Sequence, residues 1–274
     1  MSQQGQTPLR LTDIRCFMLD MDGTFYLGDQ LFPWSLGFIE TLQKLGIDFL
    51  FLTNNSSKDR SLYAQKISRM GLQVSEEKVL TSGEATAIYM EEQYPGARLF
   101  VAGTPSLQDE FSSRNFKLDD QNPEAVVLGF DTTLTYEKLW KLCDFVRAGL
   151  PFIATHPDIN CPTEQGFMPD IGAMLAAVTA STGRSPDIII GKPNRMIAEA
   201  AARKLNLPLR SLAMVGDRLY TDIALGREAG ITSILVLSGE TKEEDLPGSP
   251  HQPDYTFTHL GKLAEHLNDL YQAG

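Results

Sequence analysis

The chain has 274 residues, of which 42% are hydrophobic and 22% are charged, a balance typical of a folded protein with a sizeable core. The formal net charge of −11 argues against non-specific binding of nucleic acids, because that binding depends on Lys and Arg. Three cysteines without metal-binding or redox spacing, no apolar run of about eighteen residues and no signal-peptide pattern predict a cytoplasmic protein that does not contact a membrane.

Short apolar runs alternate with segments of helical periodicity along most of the chain. The runs are predicted to be strands buried on both faces, at residues 16–19, 49–52, 125–130, 152–155, 188–190, 212–215 and 231–237. Helices are predicted from Pro33 to Gly46, at 136–148, at 195–205 after an N-cap at Asn194, and from Thr221 to Gly230. This alternation predicts an α/β fold.

Polar residues directly follow several of these runs. Asp20 and Asp22 follow the first run, a Thr-Asn-Asn sequence at 53–55 follows the second, and Lys192 and Asp217 follow two later ones. Right-handed crossovers bring the carboxyl ends of parallel strands to one edge of a sheet, so these residues are expected to converge there.

The middle of the chain has its own strand and helix pattern with few such polar ends. We interpret it as an insertion with its own small core, which divides the chain into a core domain at 1–83 and 186–274 and an inserted α/β domain at 84–185. Residues 238–253 are rich in Gly, Pro and charge, and they are predicted to form a surface loop.

The sequence Asp20-Met21-Asp22-Gly23-Thr24 after the first strand carries the clearest chemical signal. Two carboxylates that lie close together repel each other unless a cation separates them, and Mg²⁺ prefers oxygen ligands. An Asp carboxylate can also attack phosphorus to form an aspartyl phosphate. The alternative interpretation of this pentapeptide alone is an ordinary acidic turn.

Further short motifs supply groups that suit phosphate. The hydroxyl and backbone N–H groups of Thr53, Asn54 and Asn55 can form an anion cradle. Lys192 in Gly-Lys-Pro can neutralise a carboxylate and a phosphoryl oxygen together. In the sequence at 216–222, Asp217 suits a metal ligand, whereas Asp222 can support Lys192 or a metal-bound water, or complement a helix N-terminus.

These motifs, DMDGT, LTNNS, GKP and GDRLYTD, in this order resemble the haloacid dehalogenase-like hydrolase superfamily. The resemblance covers residues 13–239 and implies a doubly wound, Rossmann-like parallel sheet with an inserted cap domain. It implies Mg²⁺-dependent phosphoryl transfer with Asp20 as nucleophile, Asp22 as general acid and base, and Lys192 as the group that steadies both. The implied metal ligands are Asp20, Asp217 and the backbone carbonyl of Asp22, and the implied phosphate-binding residues are Gly23, Thr53, Asn54, Asn55 and Lys192.

The position of the insertion indicates which branch of the superfamily the chain resembles. The short interval between Asp22 and Thr53 leaves no room for a cap, whereas the interval between Thr53 and Lys192 holds a whole α/β domain. This arrangement is similar to the p-nitrophenyl phosphatase branch, which includes NagD-like enzymes. There a cap loop contacts the leaving group, which implies that Phe167, Met168 and Asp170 bind substrate. The alternative for Phe167 and Met168 is that they only pack the cap. Asp170 and Ile171 depart from the Pro-Gly-Thr-Gly stretch of relatives.

The leading hypothesis is a phosphatase for small phosphate monoesters, with a phosphomutase and a non-catalytic phosphate-binding module as alternatives. Dehalogenation is disfavoured, because Asp22 would have no proton-transfer role in it. The substrate stays open among sugar phosphates, nucleotides, phosphoglycolate, pyridoxal phosphate and aryl phosphates. His156, a lone histidine beside a proline, is expected to be structural rather than catalytic. An exposed cap face predicts a homodimer.

Overall fold

The computed structural model describes residues 10–163 and 166–272. Its contacts divide the chain into two compact units. The core unit comprises Met1–Leu52, Ala64–Leu80 and Lys192–Gly274, and the inserted unit comprises Thr53–Tyr63 and Thr81–Gly191. The domain boundaries expected from the sequence stay predictions. The loop that follows Leu52 groups with the inserted unit.

The strands in the described part of the chain are short and mostly apolar. They are β1 (Cys16–Leu19), β2 (Tyr26–Leu27), β3 (Gln30–Leu31), β4 (Asp48–Thr53), β5 (Val79–Thr81), β6 (Arg98–Ala102), β7 (Lys117–Leu118), β8 (Ala125–Leu128), β9 (Phe152–Ala154), β10 (Asn160–Thr163), β11 (Gly166–Pro169), β12 (Ile188–Ile189), β13 (Leu212–Gly216), β14 (Thr232–Val236) and β15 (Tyr255–Phe257).

The helices separate these strands along the chain. They are α1 (Ser35–Leu45), α2 (Arg60–Arg69), α3 (Ser82–Gln93), α4 (Pro105–Ser113), α5 (Tyr136–Arg147), α6 (Ile171–Thr182), α7 (Arg195–Leu205), α8 (Ala224–Ala229) and α9 (Leu260–Gln272). None of the helices within the described ranges is both long and apolar enough to span a bilayer.

A six-stranded sheet with the order β15-β14-β13-β1-β4-β5 forms the centre of the core unit. β1 lies between β13 and β4 and is parallel to both, with Leu19 opposite Val215 on one side and Phe51 on the other. Every residue of β1, β13 and β14 is buried, as expected of strands that are covered by helices on both faces. The carboxyl ends of β1 and β13 therefore lie side by side.

A second parallel sheet, with the order β12-β9-β8-β6-β7, forms the centre of the inserted unit. Buried residues of β6, β8 and β9 pack against α5 and α6 to form its hydrophobic core. An antiparallel hairpin of β10 and β11 precedes α6. The predicted fold class, a Rossmann-like parallel α/β core with a smaller inserted α/β cap, is confirmed.

The helices that were predicted from capping residues at 33–46 and 195–205 are present. α7 has the predicted bounds with Asn194 at its N-cap, and α1 ends at Gly46, whose φ of 67° is the left-handed conformation favoured by glycine. The helix expected from Thr221 is different, because residues 219–223 form a wider turn with i to i+5 geometry and α8 begins only at Ala224.

One strand belongs to a different sheet from the one the sequence suggested. Residues 188–190 were expected to end beside the other site-bearing strands, but β12 pairs with β9 in the inserted unit. A two-residue apolar strand carries no sequence signal for its partner, so periodicity could not assign it to either sheet. Lys192 nevertheless belongs to the core unit, as the first residue after the end of the inserted unit at Gly191.

Candidate active site

Three carboxylates come together at the carboxyl edge of the core sheet. Asp20 is the first residue after β1, and its N–H donates to the carbonyl of Val215 on β13 over 2.9 Å. Asp217 follows β13, and Asp222 lies in the turn beyond it. One carboxylate oxygen from each of these three residues lies within 4.8 Å of the others. The parallel register of β1 and β13 thus produces an oxygen-rich cluster from residues far apart in sequence.

Lys192 bridges two members of this cluster. Its Nζ donates to Asp20 Oδ1 over 2.5 Å and to Asp222 Oδ1 over 2.7 Å, and only 4% of its side chain is exposed. Burial opposes the charge on Lys192, but the two carboxylates outweigh it and raise its pKa. Lys192 is therefore a fixed cation that orients the carboxylate of Asp20.

The carboxylates are held in an electrostatically strained arrangement. Burial raises the pKa of Asp20 to about 7, against the lowering effect of Lys192, and Asp222 and Asp217 add repulsion. Burial together with repulsion from Asp222 raises the pKa of Asp217 to about 6. Buried carboxylates that lie close together form an arrangement whose repulsion a divalent cation relieves.

Backbone and hydroxyl donors fix Asp217. Thr24 Oγ1 donates to Asp217 Oδ1 over 3.2 Å, and the N–H of Glu240 donates to Oδ2 over 2.7 Å. Glycines surround the same carboxylate: a Cβ atom added to Gly23, whose φ is 86°, would lie 2.4 Å from Asp217 Oδ2, and one added to Gly239 would lie 2.0 Å from it. Only glycine fits at both positions without moving the carboxylate.

Asp22 lies apart from the carboxylate cluster. Its side chain is exposed in the turn after β1, and the turn is closed by the N–H of Gly23, which donates to the carbonyl of Tyr26 over 2.8 Å. A position at the surface of the turn is open to solvent and to substrate. The predicted roles of Asp22, as proton donor and through its carbonyl as metal ligand, stay predictions.

The Thr-Asn-Asn sequence lies at the start of the loop that groups with the inserted unit. Thr53 is the last residue of β4, and its hydroxyl accepts a hydrogen bond from the N–H of Asn55 over 3.2 Å. Asn54 is buried, and its carbonyl accepts a hydrogen bond from the hydroxyl of Ser82. Asn55 Oδ1 accepts from the N–H and the hydroxyl of Ser57. These bonds hold the loop in a defined shape, and its predicted phosphate binding stays a prediction.

The hairpin of β10 and β11 carries the apolar residues that the sequence suggested for substrate binding. Phe167 is 76% exposed and Met168 is 37% exposed, so both are accessible to a ligand. Asp170 is different, because its buried carboxylate caps α6 by accepting from the N–H of Ile171 and lies 3.1 Å from His156 Nε2. The binding roles of all three residues stay predictions.

Sequence reasoning missed several groups that build the site. Thr24 stands within the DMDGT motif but had been given no role. Ser238, whose hydroxyl donates to the carbonyl of Gly23 over 2.8 Å, and Glu240 lie in the segment interpreted as a surface loop, so the beginning of that segment belongs to the site. No local sequence pattern distinguishes such residues, because their role arises only when the folded chain brings them next to the residues that follow β1.

The donor set fits a divalent cation. Asp20 and Asp217 offer hard carboxylate oxygens and Asp222 lies beside them, while the close glycine backbones and two hydrogen-bond donors hold the carboxylate of Asp217 in place. No nitrogen or sulfur ligand is part of this cluster, which favours Mg²⁺ or Ca²⁺ over zinc.

Sequence comparison identifies the family. The profile of the family described as haloacid dehalogenase-like hydrolase matches residues 17–117, and a second profile, described as HAD-hydrolase-like, matches residues 189–263. An acid sugar phosphatase of Staphylococcus saprophyticus is 36% identical over 258 residues, which cover 94% of this chain and 99% of that protein. The chain belongs to the haloacid dehalogenase-like hydrolases.

Solved structures of haloacid dehalogenase-like hydrolases share the whole fold. A 4-nitrophenylphosphatase from Thermotoga maritima matches with a TM-score of 0.89 and 51% identity, covering 93% of this chain and 98% of that one. A glycerol phosphate phosphatase from Mycobacterium tuberculosis, in complex with magnesium, matches with a TM-score of 0.84 and 30% identity, covering 92% and 78%. The predicted branch, the p-nitrophenyl phosphatase and NagD-like enzymes, and the predicted enzyme class, a phosphoric monoester hydrolase, are confirmed.

Proposed function

We propose that this haloacid dehalogenase-like hydrolase is a Mg²⁺-dependent phosphatase that hydrolyses small-molecule phosphate monoesters through an aspartyl phosphate on Asp20. The observation that carries the proposal is the buried cluster in which Lys192 joins Asp20 to Asp222 while Asp217 lies beside them. Each of these residues had been assigned to phosphoryl transfer from its motif, and they lie together in the core unit.

Asp20 is the nucleophile in this proposal. Lys192 holds Asp20 Oδ1 in place and keeps a positive charge beside it, so the carboxylate can remain ionised in a buried position. Asp222 holds Lys192 from the other side, which fixes the direction of the ammonium group. The free oxygen of Asp20 attacks phosphorus, and the bond to the ester oxygen breaks.

Asp20, Asp217 and the backbone carbonyl of Asp22 would hold the metal, with Asp222 supporting this set. When bound there, Mg²⁺ would supply positive charge that screens the repulsion between nucleophile and phosphate. Asp22 donates a proton to the departing alkoxide and then removes one from the water that cleaves the aspartyl phosphate. The exposed position of its side chain is compatible with both transfers.

The phosphoryl group is bound by Gly23, Thr53, the backbone amide of Asn54, Asn55 and Lys192. The exposed side chains of Phe167 and Met168 contact the rest of the substrate, and Asp170, whose carboxylate is buried, contributes from the base of the hairpin. An acid sugar phosphatase, a 4-nitrophenylphosphatase and a glycerol phosphate phosphatase are among the relatives, so their leaving groups differ in size and polarity. We therefore propose a small phosphate monoester as substrate, with sugar and polyol phosphates as the first class to test. Cytoplasmic location and a homodimer stay predictions.

A phosphate-release screen tests this function. We expect inorganic phosphate to appear with sugar, polyol, nucleotide and aryl phosphates only when Mg²⁺ is present, and the same activity to disappear with a chelator. The same reactions are analysed for isomerised sugar phosphate. Isomerisation without net phosphate release would support a phosphomutase instead, and tight binding without any turnover would support a non-catalytic module.

The pH dependence of stability tests the metal site independently of turnover. The pKa values of Asp20, about 7, and Asp217, about 6, lie above the ordinary value of 3.8 that applies to the unfolded chain. Between those values the folded protein holds protons that the unfolded chain has released, so without metal its free energy of unfolding falls as the pH rises from about 4 to about 7. Mg²⁺ binds the deprotonated carboxylates, so the increase in melting temperature that it causes should be larger at about pH 8 than at about pH 5.

Thermal melts with and without Mg²⁺ across this pH range measure the effect. The Asp217→Asn variant, which keeps the shape of the side chain but removes one charge, should lose most of the Mg²⁺-dependent increase at high pH. An increase of the same size at every pH would contradict the proposed carboxylate site.

A further inference from the structure

The hairpin of β10 and β11 contacts α6 and is joined to the rest of the inserted unit at its two ends, near Asp158 and Asp170. Every residue of β11, Gly166–Pro169, is exposed. At the base, the N–H of Asp170 donates to the carbonyl of Ile159 over 2.8 Å, and the N–H of Gly172 donates to the carbonyl of Asp158 over 2.7 Å. Contacts made by the side chains of Asp158 and Asp170 therefore act directly at the two ends of the hairpin.

The first end of the hairpin, at Asp158, is hydrogen-bonded directly to the loop after β4. Asn54 Nδ2 donates to Asp158 Oδ1 over 3.2 Å and to Asp158 Oδ2 over 3.1 Å. Asn54 is buried, and it follows Thr53, the residue proposed to contact the phosphoryl group through its hydroxyl. The side chain of Asn54, next to the proposed phosphate contact at Thr53, therefore holds one end of the hairpin.

The second end of the hairpin, at Asp170, is connected to the same loop through a chain of hydrogen bonds. Asp170 Oδ1 lies 3.1 Å from His156 Nε2, and His156 Nδ1 lies 3.0 Å from Thr155 Oγ1. Thr155 Oγ1 lies 2.9 Å from Ser56 Oγ, which accepts the N–H of Phe130 over 2.9 Å. His156 is fully buried, so this chain has no access to solvent at its centre.

The carboxylate end of this chain fixes its direction. Asp170 Oδ1 is an acceptor only and already accepts the N–H of Ile171, so His156 Nε2 donates to it. In a neutral imidazole Nδ1 is then the acceptor. The hydroxyls of Thr155 and Ser82 lie 3.0 and 3.3 Å from Nδ1, and because Ser82 donates to the carbonyl of Asn54, Thr155 is the donor to Nδ1 and Ser56 the donor to Thr155. Each of these hydroxyl and ring protons has a partner, and the chain ends on a carboxylate that only accepts.

The hydrogen bonds account for the cluster of His156, Asp158 and Asp170 without a metal. The three groups lie within 4.8 Å of one another, which is close enough to share an ion, but each already has hydrogen-bond partners. The backbone of Gly191 closes the cluster on another side. A Cβ atom there would lie 2.5 Å from His156 Cβ and 2.7 Å from Asn54 Oδ1, so both side chains are packed in place.

We propose that His156 and Asp158 are positioning residues that register the hairpin against the loop at 53–57, so that the leaving group and the phosphoryl group are bound in a fixed relation. This inference rests on the proposed function for the roles of the loop and of Phe167. Both residues act through the hairpin and the loop to which they are hydrogen-bonded. The buried hydrogen-bond network of His156 and Asp158 therefore affects which leaving groups the enzyme accepts, and it does not affect the rate of the chemical step.

A panel of esters tests the proposal. The His156→Ala and Asp158→Ala variants should lower kcat/KM by roughly 10-fold for the best substrate of the panel, mainly through KM, with kcat for p-nitrophenyl phosphate within roughly 3-fold of wild type. The His156→Gln and Asp158→Asn variants keep a donor or an acceptor in place and should recover part of the loss. Asp109→Ala, at an exposed position on α4, is the matched control and should behave as wild type.

Amide hydrogen exchange gives a readout that does not need activity. Either alanine variant should increase exchange in peptides from the hairpin and also in those from the loop at 53–57, because the network joins the two. If the wild-type protein hydrolysed no ester, the proposed function would fail while this coupling could still be measured. In the double variant the loss of selectivity should be smaller than the product of the single losses, since both residues hold one hairpin.

Two results would overturn the proposal. One is an equal fall in kcat/KM for every ester, with the order of preference unchanged, which would mean that the network only stabilises the inserted unit. The other is unchanged amide exchange in the hairpin and in the loop at 53–57 for both alanine variants and for the folded His156→Gln and Asp158→Asn variants. That result would mean that other contacts hold the two ends of the hairpin.

Discussion

Replacing Asp20 with Asn is expected to lower kcat for phosphate release by roughly 10³-fold or more at saturating Mg²⁺. The amide has nearly the same shape as the carboxylate, but it cannot attack phosphorus at a useful rate. It also removes the charge that Lys192 Nζ meets at 2.5 Å. Steady-state phosphate release with the best ester from the screen measures the effect.

The folded state of this variant must be compared as well. Asp20 is mostly buried and its pKa is raised, so removal of its charge should leave the melting temperature unchanged or higher. Asp269→Asn, at an exposed position on α9, is the control for a generic Asp to Asn change. Turnover by Asp20→Asn close to that of Asp269→Asn would rule out the covalent mechanism at this residue.

Replacing Lys192 with Met is expected to reduce both stability and activity. The ammonium group is buried between Asp20 and Asp222, so its loss leaves two buried carboxylates without their cation and should lower the free energy of unfolding by about 3 kcal/mol or more. Loss of the fixed cation beside the nucleophile should also lower kcat by roughly 10²-fold. Denaturant unfolding and phosphate release measure the two effects.

The pH dependence of this variant gives a further check. Without Lys192, which lowers the pKa of Asp20, the carboxylates hold their protons to higher pH, so the loss of stability should grow as the pH rises from about 6 to about 8. Lys44→Met, at an exposed position in the last turn of α1, should change neither property. A Lys192→Met protein as stable and active as Lys44→Met would show that the buried ion pairs have no role.

The core of the site could be predicted from the sequence because its residues follow strongly apolar strands. β1 and β13 are continuous buried runs, and a parallel pair of such strands brings the residues after them together. Asp20 and Asp217 were assigned in this way, and the structure brings their carboxylates together. Lys192 also reaches the cluster, although the strand before it belongs to the other sheet.

The remaining parts of the site depend on contacts between distant segments that leave no local signal. The N–H of Glu240 binds Asp217 because the chain returns to the edge of the sheet after β14, which a loop of mixed composition does not reveal. His156 had been expected to be structural, as a lone histidine beside a proline. Its bonds to Asp170 and Thr155 show the network it serves, because pairing depends on where β9 and α6 pack.

The grouping of the loop after β4 with the inserted unit was also beyond the sequence pattern. The motif at 53–55 follows a core strand, and the expected core domain therefore extended to residue 83. The contacts of Asn54 with Asp158 and of Ser56 with Thr155 instead join this loop to the inserted unit. Such side-chain pairs are separated by about a hundred positions, a distance at which hydrophobic periodicity carries no information.

Trapping the phosphoryl group on the enzyme tests the central claim most directly. Wild-type protein with Mg²⁺ and a ³²P-labelled ester is quenched with acid within the first turnover, and its peptides are analysed by mass spectrometry. The account predicts a hydroxylamine-sensitive phosphoryl group on the peptide that contains Asp20, absent from the Asp20→Asn variant. Phosphate release at the full rate with no phosphoryl group on that peptide, or with the group on a different residue, would contradict it.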